Sequence, residues 1–309
     1  METQTLWVDR GHDAELDNEQ SRGELLTLMA ASRAASIAVP LPSATFWIVL
    51  RGTAELECKE GRFVLRPGEW LSLERDSRPS LYVSRDGLAI GLALSGTLQA
   101  QLLQSAQIAV YPGRGRVTAR SARACLGLWR RSAAFARNET RAGTIEQKHL
   151  GHLLRYVSGL QSDYRGLIDR CPGRSLRRKR QVFGRMQRAH LFLEGNMERA
   201  VRVSELAALC NVSIWYFTKT FHALYGEGPQ AAAARLRLLH ATTLLTDTRL
   251  SVSEVGAACG FENNCSFSRA FRARYGMPPS LYRMRDWNGA PDCANAYDIG
   301  GKAAFASGP

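Results

Sequence analysis

Seven cysteines (58, 125, 171, 210, 259, 265 and 293) and six histidines (12, 149, 152, 190, 222 and 240) are the side chains best able to hold a metal or carry a covalent step. Their spacing argues against both. An odd number of widely separated cysteines with no C-x-x-C pair does not describe a disulfide framework or a zinc ribbon. No histidine falls between Thr45 and Ser95, where strand-like runs lie, so a metal or an oxygenase reaction is not expected there. His149 and His152 stand three apart on a helical pattern and could meet a metal, but satisfied or exposed imidazoles are the expected reading. No catalytic residue, metal or cofactor is assigned, and the chain is read as a non-enzyme.

The remaining chemistry lies in the cations. Among 309 residues, 41 Lys and Arg face 28 Asp and Glu, a formal charge of +13. Residues 174–285 hold 18 basic and 7 acidic residues, a net of +11, whereas residues 1–173 hold 22 and 18. Charge concentrated in this way suggests a polyanionic partner, either nucleic acid or an anionic membrane surface, because neutralising phosphates releases counterions. Arg174–Gln181, RSLRRKRQ, carries five of the cations in eight residues. It reads as a solvated linker or as a row of cations beside a phosphate backbone.

The elements that position these groups come in two kinds. A chain 45% hydrophobic and 309 residues long can bury two ordinary cores, which excludes a disordered or collagen-like protein. From Thr45 to about Ser95, short β-rich runs (45–50, 53–58, 62–66, 70–74, 81–84 and 88–94) alternate with glycine-containing turns. This predicts an antiparallel barrel or sandwich. Between Ile145 and Ile168, apolar residues recur at helical spacing through Leu153, Val157, Leu160, Tyr164 and Leu167, giving a stripe that packs on its own barrel or against a second subunit. Cys171-Pro172-Gly173 then stops the helix and marks the domain boundary. With no basic and apolar leader and no apolar run near the roughly 18 residues of a membrane span, a cytoplasmic protein is expected.

The most informative pattern is an internal duplication. SELAALC (204–210) aligns with SEVGAAC (253–259) at an offset of 49, and FTKTFHALYGEGP (217–229) with FSRAFRARYGMPP (267–279) at an offset of 50. Ser204 and Ser253 are the expected helix N-caps, followed by a glutamate that suits the helix dipole. Small residues such as Ala207, Ala208, Gly256 and Ala257 permit a close crossing. Asn211 and Gly260 occupy the turn, where positive φ is needed. Phe217 and Phe221, or Phe267 and Phe271, then mark the buried face of a second helix. This is the anatomy of a helix-turn-helix, whose second helix lies in the DNA major groove. Ala231–Leu245 is a strong helix former that would hold the two copies about 22 Å apart, against about 34 Å for one turn of straight duplex.

These residues resemble the AraC/XylS family of bacterial transcription regulators. The match is strongest in R-L-x-x-A (237–241), S-V-S-E-V-G (251–256), C-G-F (259–261), F-S-R-A-F-R (267–272), Tyr275-Gly276, P-P-S (278–280) and Tyr282-Arg283. The first copy is similar but weaker, with L-A-A-L-C-N-V-S (206–213). The resemblance implies base-reading positions at Trp215, Thr218 and Lys219 in one helix and at Asn264, Cys265 and Arg269 in the other, with Arg272, Arg274 and Arg283 as phosphate contacts. Asn211 departs from the usual turn glycine, Gly256 from the usual alanine, and Ala232 from a common aromatic.

R-P-G-E-W (66–70) resembles a turn of the cupin-type domain often joined to this module. The expected fold is therefore α+β in two domains: a cupin-like antiparallel β barrel or sandwich with helices over 1–170, a basic linker over 171–184, an all-α double helix-turn-helix over 185–285, and a tail over 286–309. The expected function is a sequence-specific transcription regulator, an activator, that answers a small-molecule effector through its first domain and acts as a homodimer. Its expected partners are double-stranded promoter DNA and RNA polymerase, with no membrane. The alternative is a ligand-independent DNA-binding protein whose first domain only dimerises. An enzymatic reading through alkyl-accepting, zinc-bound cysteines lacks the required cysteine clusters.

Overall fold

A computed structural model of the chain describes residues 2–16, 25–105, 108–136 and 144–286. The chain separates into two compact units, Met1–Arg165 and Gly166–Pro309. Residues 287–309, which include Cys293 and nearly all of the expected tail, lie outside the described residues.

Among the described residues, the first unit holds eleven strands: β1 (Glu2–Asp9), β2 (Asp13–Glu15), β3 (Leu25–Ser32), β4 (Ser36–Ala38), β5 (Ala44–Arg51), β6 (Ala54–Cys58), β7 (Gly61–Leu65), β8 (Glu69–Leu73), β9 (Ser80–Val83), β10 (Leu88–Leu94) and β11 (Gly113–Arg116). They form a six-stranded sheet, β1-β3-β10-β5-β8-β11, and a five-stranded sheet, β2-β4-β9-β6-β7. The six expected strands appear as β5 to β10. The pairing departs from a purely antiparallel pattern in two places, since β1 runs parallel to β3 and β2 parallel to β4. β6, β7 and β9 alternate buried and exposed residues, as expected for a sheet with one wet face, whereas every residue of β3 is buried. Gly91 is required where β10 crosses β5, because a Cβ there would stand 2.4 Å from the Trp47 ring.

The R-P-G-E-W turn is built around Gly68, with φ +83°, and a buried ion pair in which Arg114 Nη2 donates to Glu69 Oε2 at 2.9 Å. The strands carry α1 (Gly96–Ser105), α2 (Ala119–Ala136) and α3 (Thr144–Gly159). Trp129 of α2 is buried and donates its indole N–H to Gly91 O at 3.1 Å. The apolar stripe expected over 145–168 is divided between α3 and α4 (Tyr164–Arg170) by a turn at 160–163. Leu153 and Val157 are fully buried within the chain, so packing inside one copy covers this part of the stripe.

The second unit is helical: α5 (Leu176–Gly195), α6 (Val203–Leu209), α7 (Ile214–Tyr225), α8 (Pro229–Asp247), α9 (Val252–Ala258), α10 (Asn264–Tyr275) and α11 (Pro279–Asp286). The stretch expected as a basic linker is instead the beginning of α5. Three cations in the first turn, Arg177, Arg178 and Lys179, oppose the helix dipole. Ser175 offsets this by accepting the Arg178 amide at 3.2 Å, and Val182, Phe183, Met186 and Ala189 bury the next turns. A tertiary apolar face has overridden an unfavourable N-terminus.

Candidate nucleic-acid interface

The duplicated segments fold alike. α6 and α9 each end in a left-handed residue, Asn211 at φ +50° and Gly260 at φ +71°. In the first copy Asn211 N donates to Ala208 O and Val212 N to Ala207 O, each at 3.0 Å. In the second, Gly260 N donates to Ala257 O at 2.9 Å and Phe261 N to Gly256 O at 3.0 Å. Both turns are thus Schellman motifs, which satisfy the last carbonyls of the helix while reversing the chain. The change of offset from 49 to 50 is the single extra residue Glu262, placed between this motif and the next N-cap.

The N-caps of α6 and α9 differ from expectation. Ser204 and Ser253 lie inside the first turns, and the capping positions are Arg202 and Ser251. Glu254 determines the choice in α9. Its carboxylate accepts the Ser251 amide at 2.6 Å while Ser251 Oγ accepts the Glu254 amide at 3.2 Å, a complete capping box. In α6 only the carboxylate half is possible, because an arginine side chain cannot accept. Glu205 takes the Arg202 amide at 2.9 Å and the Arg199 guanidinium at 2.9 Å, and these bonds hold its carboxyl below the ordinary range.

The second helices begin at Ser213 and Asn263, whose side chains cap the Tyr216 and Ser266 amides at 3.3 and 2.8 Å. Both end on glycines, Gly226 and Gly276, at φ +75°. Phe217, Phe221, Phe267 and Phe271 are completely buried, which fixes the opposite side of each helix toward solvent. Cys210 and Cys259 are buried beside them, and burial pushes both thiols up to about 12, so neither is a nucleophile.

The expected base readers occupy that solvent side. Trp215, Thr218 and Lys219 are exposed on α7, as are Asn264, Cys265 and Arg269 on α10. Trp215 is 69% exposed, and the Lys219 ammonium lies 4.9 Å from its ring centre. The offset makes Lys219 equivalent to Arg269 and Trp215 equivalent to Cys265. It also pairs Asn264 with Ile214, which is 53% exposed and was not singled out from the sequence. That equivalence was the signal available for Ile214.

Arg272 and Arg274 are exposed in the last turn of α10, and their guanidinium groups have no hydrogen-bond partner among the described residues. Arg283 does not match the expectation of a free phosphate contact. It is partly buried, and its guanidinium donates to Leu245 O at 3.1 Å and to Leu250 O, tying α11 to the connection between α8 and α9. α8 is nineteen residues long, about 28 Å, and longer than the fifteen expected because Pro229 starts it and Thr246 and Asp247 continue it. His149 of the first unit stacks on Phe135 at 4.6 Å, and no metal-ligating group of three is found among the described residues. No described helix is long and apolar enough to cross a membrane.

Residues 206–285 match the helix-turn-helix domain family. The chain is 29% identical over 141 residues to the MmsAB operon regulatory protein of Pseudomonas aeruginosa, covering 46% of this chain and 45% of that protein. It is 28% identical over 98 residues to the virulence regulon transcriptional activator VirF of Yersinia enterocolitica, covering 32% of this chain and 36% of that one. A solved regulator from Chromobacterium violaceum with an AraC-type DNA-binding domain is 27% identical, covering 34% of this chain and 94% of that one, with a TM-score of 0.33. The chain thus spans less than half the length of the two curated relatives. Through residues 206–285, this chain resembles the helix-turn-helix regions of AraC/XylS-type DNA-binding transcription regulators.

Proposed function

We propose that α7 and α10 read two major-groove segments of a promoter, so that the chain is a sequence-specific transcription regulator. The single observation that carries this reading is the equivalence of the two exposed faces. Lys219 and Arg269 stand at matching places on helices with the same cap geometry, above cores that leave no other side free. The chemistry divides between the copies. α7 offers Ile214 and Trp215, suited to thymine methyl groups, with Thr218 and Lys219 behind them. α10 offers Asn264 and Arg269, suited to bidentate contacts with adenine and guanine, with Cys265 a weak donor between them. Arg272 and Arg274 are assigned to phosphates, and Arg283 is withdrawn from that set because its donors hold backbone carbonyls.

The first unit is proposed as the sensing and pairing part. A cavity of about 150 Å³ among Leu16, Leu25, Thr27, Arg75, Ser95 and Thr97 is the proposed seat of a small effector. Activation is proposed as the output, by likeness to the transcriptional activator VirF. Double-stranded promoter DNA, RNA polymerase and a second copy of the chain are the proposed partners, in the cytoplasm.

Selection of bound fragments from random duplex DNA, with and without metabolite extract, tests the reading. A recovered sequence with T-rich and G-containing parts about one helical turn apart supports it. Recovery of unrelated fragments at physiological salt overturns it, and identical recovery with and without extract overturns the sensing role.

A further inference from the structure

One tie binds each copy to α8. Arg235 Nη2 pairs with Glu227 at 2.9 Å across the Gly226-Glu227-Gly228 link to α7, and Arg283 closes the Thr248-Arg249-Leu250 link to α9. Neither tie fixes one reader against the other.

A third contact does. A Cβ on Gly260 would stand 2.8 Å from Arg199 Cα, 2.9 Å from Glu198 O and 3.0 Å from the Arg199 carbonyl carbon, so the tip of the second turn meets the chain leading into α6 backbone to backbone. Both sides of that contact are anchored. On the α8 side, Arg237 Nη1 donates to Gly260 O at 3.0 Å while its guanidinium lies 4.7 Å from the Phe261 ring centre. On the other side, Arg199 donates to Asn196 Oδ1 at 3.2 Å, after α5, and to Glu205 Oε2 at 2.9 Å, in the first turn of α6. The first copy has no matching restriction. Asn211 carries its side chain exposed at the equivalent turn, whereas Gly260 is needed both for its φ of +71° and for lack of space.

We propose that Gly260, Arg237 and Arg199 form a brace that sets the spacing of α7 and α10 and therefore the spacing of the DNA segments the protein accepts. This rests on the reading of both helices as DNA readers. A strut hinged at both ends would let the readers adapt to altered spacing, whereas a closed triangle of contacts pre-organises one spacing and penalises the rest. These are positioning residues that touch no base.

The test uses the full chain, the selected duplex site, and the same site lengthened by one base pair between its two parts. Wild-type protein is expected to lose at least about tenfold in affinity on the lengthened site. Gly260→Ala, Arg237→Ala and Arg199→Ala are expected to bind the original site more weakly but to lose less than about threefold on lengthening. Arg199 is exposed, so its variant keeps the test available if Gly260→Ala does not fold, with folding checked by circular dichroism. Folded variants that keep the wild-type lengthening penalty overturn the brace alone. Wild-type protein that does not distinguish the selected site from unrelated DNA overturns the double-reader reading, and the brace with it.

Discussion

Lys219 holds its ammonium 4.9 Å from the ring centre of Trp215, one turn earlier on the exposed side of α7. The pair brings a large apolar surface and a cation to the N-terminal end of the proposed first reader, and each restrains the other in solvent. Trp215→Ala should therefore cost about 1–2 kcal/mol of binding to the selected site and free Lys219, while Trp215→Phe should retain part of it. Fluorescence anisotropy with the labelled duplex checks this. Full affinity in Trp215→Ala would make the tryptophan a bystander.

The three arginines near the end of the second reader separate by role. Arg272→Ala and Arg274→Ala should each weaken binding across all DNA sequences and lower the slope of log K against log salt by about one. Arg283→Ala should leave that slope unchanged and lower thermal stability, because it releases Leu245 O and Leu250 O. A salt titration of the three variants beside their melting curves decides the assignment. A reduced slope in Arg283→Ala would return that residue to the phosphate set.

Gly256 lies under Phe267, with a built Cβ 3.0 Å from the ring and 3.3 Å from Phe267 Cβ. Alanine favours a helix by about 1 kcal/mol over glycine, but Phe267, fully buried between Phe261 and Phe271, would have to shift by a few tenths of an ångström. Gly256→Ala is expected to destabilise the protein by about 1 kcal/mol or more in urea unfolding. A rise in stability would mean that propensity outweighs the close approach of α9 and α10.

The helix starts carry a pH dependence of known sign. Hydrogen bonds from the Ser251 amide and hydroxyl hold the Glu254 carboxyl below its ordinary value, and Arg199 and the Arg202 amide do the same for Glu205. A lowered folded-state value means stability that is complete above the unfolded carboxylate value, about 4.3, and is lost as pH falls through the folded value. Melting followed between pH 6 and pH 3 should show the loss beginning below about 4.5, and Glu254→Gln with Glu205→Gln should flatten it. An unchanged profile in the double variant would place the acid sensitivity elsewhere.

What could be read from the sequence depended on whether a residue's neighbours were close in the chain. β5 to β10 were legible because alternation and glycine turns are local signals. β1 to β4 and β11 were not, since segments such as Gly113–Arg116 pair with partners distant in the chain. The duplicated helices, their left-handed turns and their buried phenylalanines were also legible. The N-caps were misplaced because S-V-S-E offers two serines, and only the three-residue reach of Glu254 selects Ser251. The first turns of α5 read as linker because cations oppose the dipole locally, while the burial that stabilises the helix comes from other helices. Of the site, the exposed readers were visible. The contact of Gly260 with Arg199 joins residues 61 positions apart and leaves no periodic trace.

If two helices of one chain read duplex DNA by sequence, a single-base-pair substitution scan of the selected site must show it. Two clusters of sensitive positions about 10 base pairs apart are expected, with losses of about 1–3 kcal/mol at the most sensitive positions, and one guanine whose preference disappears in Arg269→Ala. A flat profile, a single cluster, or uniform weakening of every site by Arg269→Ala would contradict it.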